Sequence, residues 1–328
     1  MRKEKPSRVS KAYRLIAFTA CTLLSIMLQR TSVLQAAEPA SNNKLAIEAA
    51  ATKEHYVLGE PIYLLIRLQN QGATSAFVSP GLDSESGNLA IQVTDPAGRT
   101  FPMTPIMTLD EDAATVSLAS RAWLASVVSV FFGSNGWTFQ VPGVYRVAVT
   151  YRATLSGGRR VEATSLPITL TVSTNELEPG RFLMQAGPAG LEAGKLLLWH
   201  GGDHLKAGQE QLRELLSRYP ESTISHYVRF SLGRSLSESF KDYAANKVRP
   251  ANFNGAIELL EKIPARKLPD YLEIQRSLAL ARSAIGLKRR EAAQKSLQEA
   301  RSLIGDRSEY QHFLSQLTRL EQAAAAIP

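Results

Sequence analysis

The sequence predicts a multidomain chain, β then α, with an antiparallel β-sandwich first and an α-helical hairpin unit after it. Three observations carry this. Between Lys44 and Ser173, short runs alternate apolar and polar side chains and are punctuated by turn residues. Beyond about residue 189 the apolar residues recur at helical spacing instead. Within that second half, Leu205–Leu236 carries two apolar stripes folded back at Tyr219-Pro220, a helical hairpin too short to bury both stripes alone.

The chain has 328 residues and a formal net charge of +8. Residues 1–37 hold seven Lys/Arg and one acid, Glu4, so the rest carries 31 basic against 29 acidic side chains. A basic pI that resides largely in a leader argues against a nucleic-acid partner. The leader itself has a basic start, the apolar run Leu15–Leu28, and small residues at Ala36 and Ala37. That layout predicts a signal peptide over 1–37 and an extracytoplasmic protein, periplasmic or secreted. The run is short for a membrane span, so contact with the membrane is expected only through a leader left uncleaved. Cys21 is the single cysteine, and Phe18-Thr19-Ala20-Cys21 resembles a lipoprotein box. The apolar run continues past it, however, which favours an ordinary signal-segment residue and a mature chain without thiol or disulfide.

Residues 38–43 are expected to be a flexible start, and 44–173 the sandwich. Strands are expected at 44–50, 61–69, 75–79, 88–94, 114–119, 125–131, 143–153 and 166–173. In the clearest, Tyr145, Val147, Val149 and Tyr151 line a buried face opposite Arg146, Ala148, Thr150 and Arg152. Turns are expected at Gly59-Glu60-Pro61, Asn70-Gln71-Gly72, Asp95-Pro96-Ala97-Gly98, Pro142-Gly143 and Gly157-Gly158. Seven or eight short strands in about 130 residues favour an antiparallel sandwich.

Tyr56-Val57-Leu58-Gly59-Glu60-Pro61-Ile62, followed by Leu64, Ile66, Leu68 and Asn70, resembles the opening of bacterial immunoglobulin-like domains of the macroglobulin and proteinase-inhibitor-like kinds. Trp137-Thr138-Phe139 with Pro142–Val147, and Ser165-Leu166-Pro167 with Ile168, Leu170 and Val172, are similar to the late strands of such domains. The resemblance implies a fold far more than an activity.

Glu176–Gly190 is rich in Gly and Pro and reads as a linker, placed at 174–188, with the helical domain over 189–326. A short helix is expected over Leu191–Trp199. Ser222 is expected to cap the second helix of the hairpin and Asn252 the next one, which Pro264 ends. Asp270 with Glu273, and Ser308 with Gln311, have the spacing of further caps. Leu280, Ala281, Ala284, Ala293, Leu297, Ala300 and Gly305 fall at the small and large positions of a tetratricopeptide unit. Leu212, Leu215, Pro220 and Leu232-Gly233 are similar to a degenerate copy. The resemblance implies stacked hairpins, although Ser277 replaces the family's aromatic and 241–251 is an insertion.

Catalytic signatures are missing: no nucleophile elbow, zinc-protease helix, phosphate loop or dinucleotide fingerprint is present. His200, Asp203 and His204 are the one cluster with metal-ligand chemistry, but they flank Gly201-Gly202 and have no distant partner, so a polar inter-helix loop is the simpler reading. His226 falls between the apolar positions of its helix and reads as a half-exposed packing residue. Asp110-Glu111-Asp112 reads as a solvated turn rather than a calcium site, and Lys288-Arg289-Arg290 as an exposed run. The expected function is therefore a non-catalytic cell-envelope scaffold that binds a protein or peptide, with no cofactor. The alternatives are a proteinase-inhibitor-like sandwich acting through Leu118–Leu124 or Gly133–Gly136, and a metal-dependent hydrolase using His200, Asp203 and His204. Composition says nothing of the oligomeric state.

Overall fold

The alternation seen in the sequence becomes strands, and the computed structural model describes residues 45–109, 115–154, 160–242 and 246–328. The leader with Cys21, the start at 38–43, Asp110–Asp112 and the Gly157-Gly158 turn lie outside the described residues. The first half contains β1 Leu45–Ala51, β2 His55–Val57, β3 Tyr63–Asn70, β4 Ala76–Val78, β5 Leu89–Thr94, β6 Thr100–Met103 and β7 Val116–Leu118. It continues with β8 Trp123–Ser129, β9 Phe132–Gly133, β10 Gly136–Trp137, β11 Gly143–Thr154, β12 Arg160–Thr164 and β13 Ile168–Ser173. Each of the eight expected strands overlaps one of these.

β1, β3 and β8 form an antiparallel sheet with β3 in the middle. A second sheet runs β2-β13-β11-β5-β6, with β12 also pairing β11. Its pairs are antiparallel except β13 with β2. Tyr145, Val147, Val149 and Tyr151 of β11 are buried as expected, and so are Ile62, Leu64, Ile66 and Leu68 around β3. These apolar faces join one hydrophobic cluster.

Helices follow: α1 Leu177–Met184, α2 Pro188–Trp199, α3 Lys206–Arg218, α4 Thr223–Leu236, α5 Phe253–Glu261, α6 Asp270–Gly286, α7 Arg290–Ile304 and α8 Leu314–Ala325. A small hairpin of β14 Phe240–Asp242 and β15 Lys247–Arg249 occupies the insertion, and a 3₁₀ turn at Ser308–Phe313 precedes α8. None of the described helices is long and apolar enough to cross a membrane.

The expected linker is the first correction. α1 lies inside 174–188, and α2 begins at Pro188. Two of the glycines that suggested flexibility, Gly180 and Gly190, serve close packing instead. A Cβ on Gly180 would stand 2.1 Å from the Leu58 carbonyl oxygen and one on Gly190 2.1 Å from that of Leu183, while within the expected helix one on Gly194 would stand 2.1 Å from the Phe132 ring. The hydrophobic cluster that holds both sheets therefore continues through Leu183, Leu196, Leu212, Ile224, Phe230, Leu260 and Leu272. Lys44–Pro328 is one compact unit. A smaller cluster, including Leu278, Ala293, Leu297 and Ala300, sits within the last helices.

Caps follow the sequence only in part. Ser222 accepts a hydrogen bond from the Ser225 amide, and Asn252 accepts one from the Gly255 amide. Asp270 stands inside α6, which starts after Pro269, so its side chain is past the capping position. Ser308 opens the 3₁₀ turn without capping it. Gln311 donates to the carbonyls of Gly305 and Arg307 instead.

Candidate functional site

The seam between β region and helices is held by a buried carboxyl group. Glu60 is 2% exposed, in the turn before β3. Its Oε1 accepts from the Tyr227 hydroxyl of α4 at 2.8 Å, and its Oε2 accepts from the Val57 amide at 3.0 Å. Lys53 completes an ion pair with it. Burial and the facing Glu60 carboxyl both push the Tyr227 phenol well above its ordinary range, so the hydroxyl remains a donor. Glu176, after β13, accepts from the Thr223 amide at 2.7 Å and so secures the start of α4 to the β region.

Beside this seam a groove of about 1380 Å³ opens. The end of β1, Thr52-Lys53 and Leu65 form one wall. Thr223, His226 and Tyr227, the 265–269 turn, and the facing sides of α6 and α7 form the other. Its acids already have cationic partners: Asp270 with Arg307 at 2.6 Å, Glu273 with Arg276 at 2.7 Å, Glu299 with Arg276 at 3.8 Å, and Glu309 with Arg67 at 3.5 Å. Arg266, Lys267 and Lys295 are exposed along the same groove and form no ion pair among the described residues. The groove thus presents acids that are already paired, two of them through the one Arg276, and three unpaired cations.

His226 is 4% exposed rather than half-exposed, and its Nδ1 has no hydrogen-bond partner. Desolvation lowers its pKa below the usual 6.5. Arg229 and Lys267 act in the same direction, against Glu221 and Glu176. The apolar stripe of α4 did not reveal this, because α4 is buried on most of its circumference.

The three metal candidates go separate ways. His200 ends α2 in a left-handed conformation. Its Nδ1 lies 3.1 Å from Ser231 Oγ, and its ring meets Phe230 edge-on. Asp203 pairs with Arg249, and His204 stacks on Phe240. Among the described residues no group of three or more His, Cys, Asp or Glu could hold a metal ion.

The two loops considered for protease inhibition are tied down. Fully buried Asn70 donates to the carbonyls of Leu118 and Ala119, fastening the start of 118–124. Gly133–Gly136 is a tight hairpin in which the Ser134 amide donates to the Thr104 carbonyl, and a Cβ on Gly136 would stand 2.9 Å from Leu191 of α2.

No family model matches the chain, and no curated protein does. Among solved structures it is similar to a protein assigned as ApaA from Bordetella pertussis, at 14% identity and a TM-score of 0.28, over 42% of this chain and all of that one. It is similar to the CARDB domain of a Pyrococcus furiosus protein in complex with di-metal ions, at 15% identity and a TM-score of 0.21, over 40% of this chain and 93% of that one. The sporulation control protein Spo0M of Bacillus subtilis aligns at 9% identity and a TM-score of 0.24, over 48% and 54%. Likenesses this loose are compatible with a β region and carry no argument about activity.

Proposed function

We propose that this chain is a non-catalytic, extracytoplasmic binding protein of the cell envelope. In this reading an extended acidic segment of a protein or peptide partner lies in the groove between the β region and the helices. The observation that carries it is the charge arrangement there: Asp270, Glu273, Glu299 and Glu309 pair with three arginines, Arg276 serving both Glu273 and Glu299, while Arg266, Lys267 and Lys295 are left for a partner. Long cationic side chains on a concave surface attract an anionic chain and set its register more than its affinity. The export part rests on the leader pattern in residues 1–37. The finer architecture belongs to the same proposal: an immunoglobulin-like sandwich of the two sheets, with α3 to α7 as tetratricopeptide-like hairpins leaning on it.

Fluorescence anisotropy with a labelled Glu-rich peptide, and a Lys-rich peptide as control, tests the reading on the full chain. The Glu-rich peptide should bind, and the double variant Lys267→Glu/Lys295→Glu should weaken it by about tenfold. Added salt should weaken it too. Equal binding of both peptides, or indifference to the double variant, would show that the groove is not the site.

A further inference from the structure

The Trp199–His204 turn that resembled a metal site lies over a separate pocket of about 310 Å³, shared with Arg234 and Ser235 of α4 and with Phe240 and Arg249 of the small hairpin. Two arginines line it, and they are in opposite states. Arg249 has its guanidinium fully engaged: Nε with Asp203, Nη1 with the carbonyls of Glu238 and Pro250, and Nη2 with Ser235. The Arg234 carbonyl accepts from Ser237, but its guanidinium makes no hydrogen bond or ion pair among the described residues, although the residue is half-buried. Glu238 lines the same pocket but is bound to Arg282.

A guanidinium taken partly out of water is costly unless its charge is matched, and the carboxylate that acts on Arg234, Glu238, is already shared with Arg282. The surroundings are short of acceptors in another respect as well. The buried Tyr63 hydroxyl, outside the pocket lining but near Arg234, has no hydrogen-bond partner. Burial lowers the Arg234 pKa somewhat, but a guanidinium remains charged at neutral pH. Desolvation and Arg234 hold the His200 imidazole well below its usual range, so it is neutral and competes for no anion charge. Exposed Trp199 and half-buried Phe240 supply apolar walls.

We propose that this pocket binds a small organic carboxylate, its two oxygens held in the planar fork of Arg234 and its apolar body lying between Trp199 and Phe240. A guanidinium presents two parallel N–H donors that match a carboxylate. The volume is at the lower end for small-molecule sites, about 300–1000 Å³, so the ligand is small. The site is independent of the groove, whose walls contain neither Arg234 nor Trp199.

Thermal unfolding of the full chain with benzoate as probe tests the assignment. At roughly tenfold over its Kd, benzoate should raise Tm by about 2–4 °C. Arg234→Gln should abolish that rise, and Arg234→Lys, which keeps the charge but loses the fork, should retain part of it. Without ligand, Arg234→Gln should unfold at the same temperature as the parent or higher, because an unmatched charge has been removed. A sharply lower ligand-free Tm would mean that the guanidinium serves the fold, and would overturn the proposal. An equal benzoate response in parent and Arg234→Gln, or no response in the parent, would overturn it as well. So would a larger shift with inorganic phosphate than with benzoate.

Discussion

Glu60 shows how much of the architecture rests on single residues. Its buried carboxyl group takes donors from the Tyr227 hydroxyl, the Val57 amide and Lys53, so one side chain joins the β3 turn to α4. Tyr227→Phe removes a hydrogen bond to a carboxyl group where water cannot replace it. It should cost about 1.5–3 kcal/mol in urea unfolding. His226 supplies a pH dependence of definite sign. Its folded pKa is depressed below 6.5, so on acidification the unfolded chain takes up the proton first. Its contribution to stability is complete above the unfolded pKa and is lost as pH falls toward the folded pKa, at no more than about 1.4 kcal/mol per pH unit. Unfolding free energies measured from pH 7 down to pH 5 should fall less steeply in His226→Leu than in the parent. At this scale the sequence told little. The helical stripe through Ile224, Tyr227 and Val228 predicted one buried face, whereas α2, α3, α5 and α6 all pack on α4 and bury most of its circumference, His226 included.

At the scale of elements, periodic patterns were readable and short or unperiodic ones were not. Eight strands were expected where strands occur. β2, β6, β9, β10 and β12 were missed because two to five residues hold too few alternations to stand out. Gly180 and Gly190 were misleading for a physical reason: the same lack of a side chain that loosens a linker also lets a helix approach another backbone, here those of Leu58 and Leu183. Caps separate by geometry. Ser222 precedes its helix in extended conformation and bonds the Ser225 amide, while Ser308 bonds nothing as a cap. Ser222→Ala should therefore cost about 0.5–2 kcal/mol, and Ser308→Ala should stay within about 0.5 kcal/mol. Chemical denaturation of the two variants side by side measures the difference. The His200–His204 turn was legible as a cluster of polar groups but not in its use, because Arg249 and Phe240, which claim Asp203 and His204, come from a hairpin more than 35 residues on.

For the molecule as a whole, the sequence suggested a β half and a helical half with a linker between them, and the packing makes one body of them. The hydrophobic cluster runs from Leu45 in β1 to Ala279 in α6 without a break at the expected boundary. This continuity gives the groove its two walls, so binding there should need both halves folded together. Such a core should also melt as one cooperative unit. The most direct measurement is equilibrium urea unfolding of two single-tryptophan variants, one keeping Trp137 in the β region and one keeping Trp199 at the end of α2. A single continuous core predicts coincident transitions with the same midpoint and slope. Two separated transitions, with either tryptophan reporting a half that remains folded after the other has opened, would contradict it.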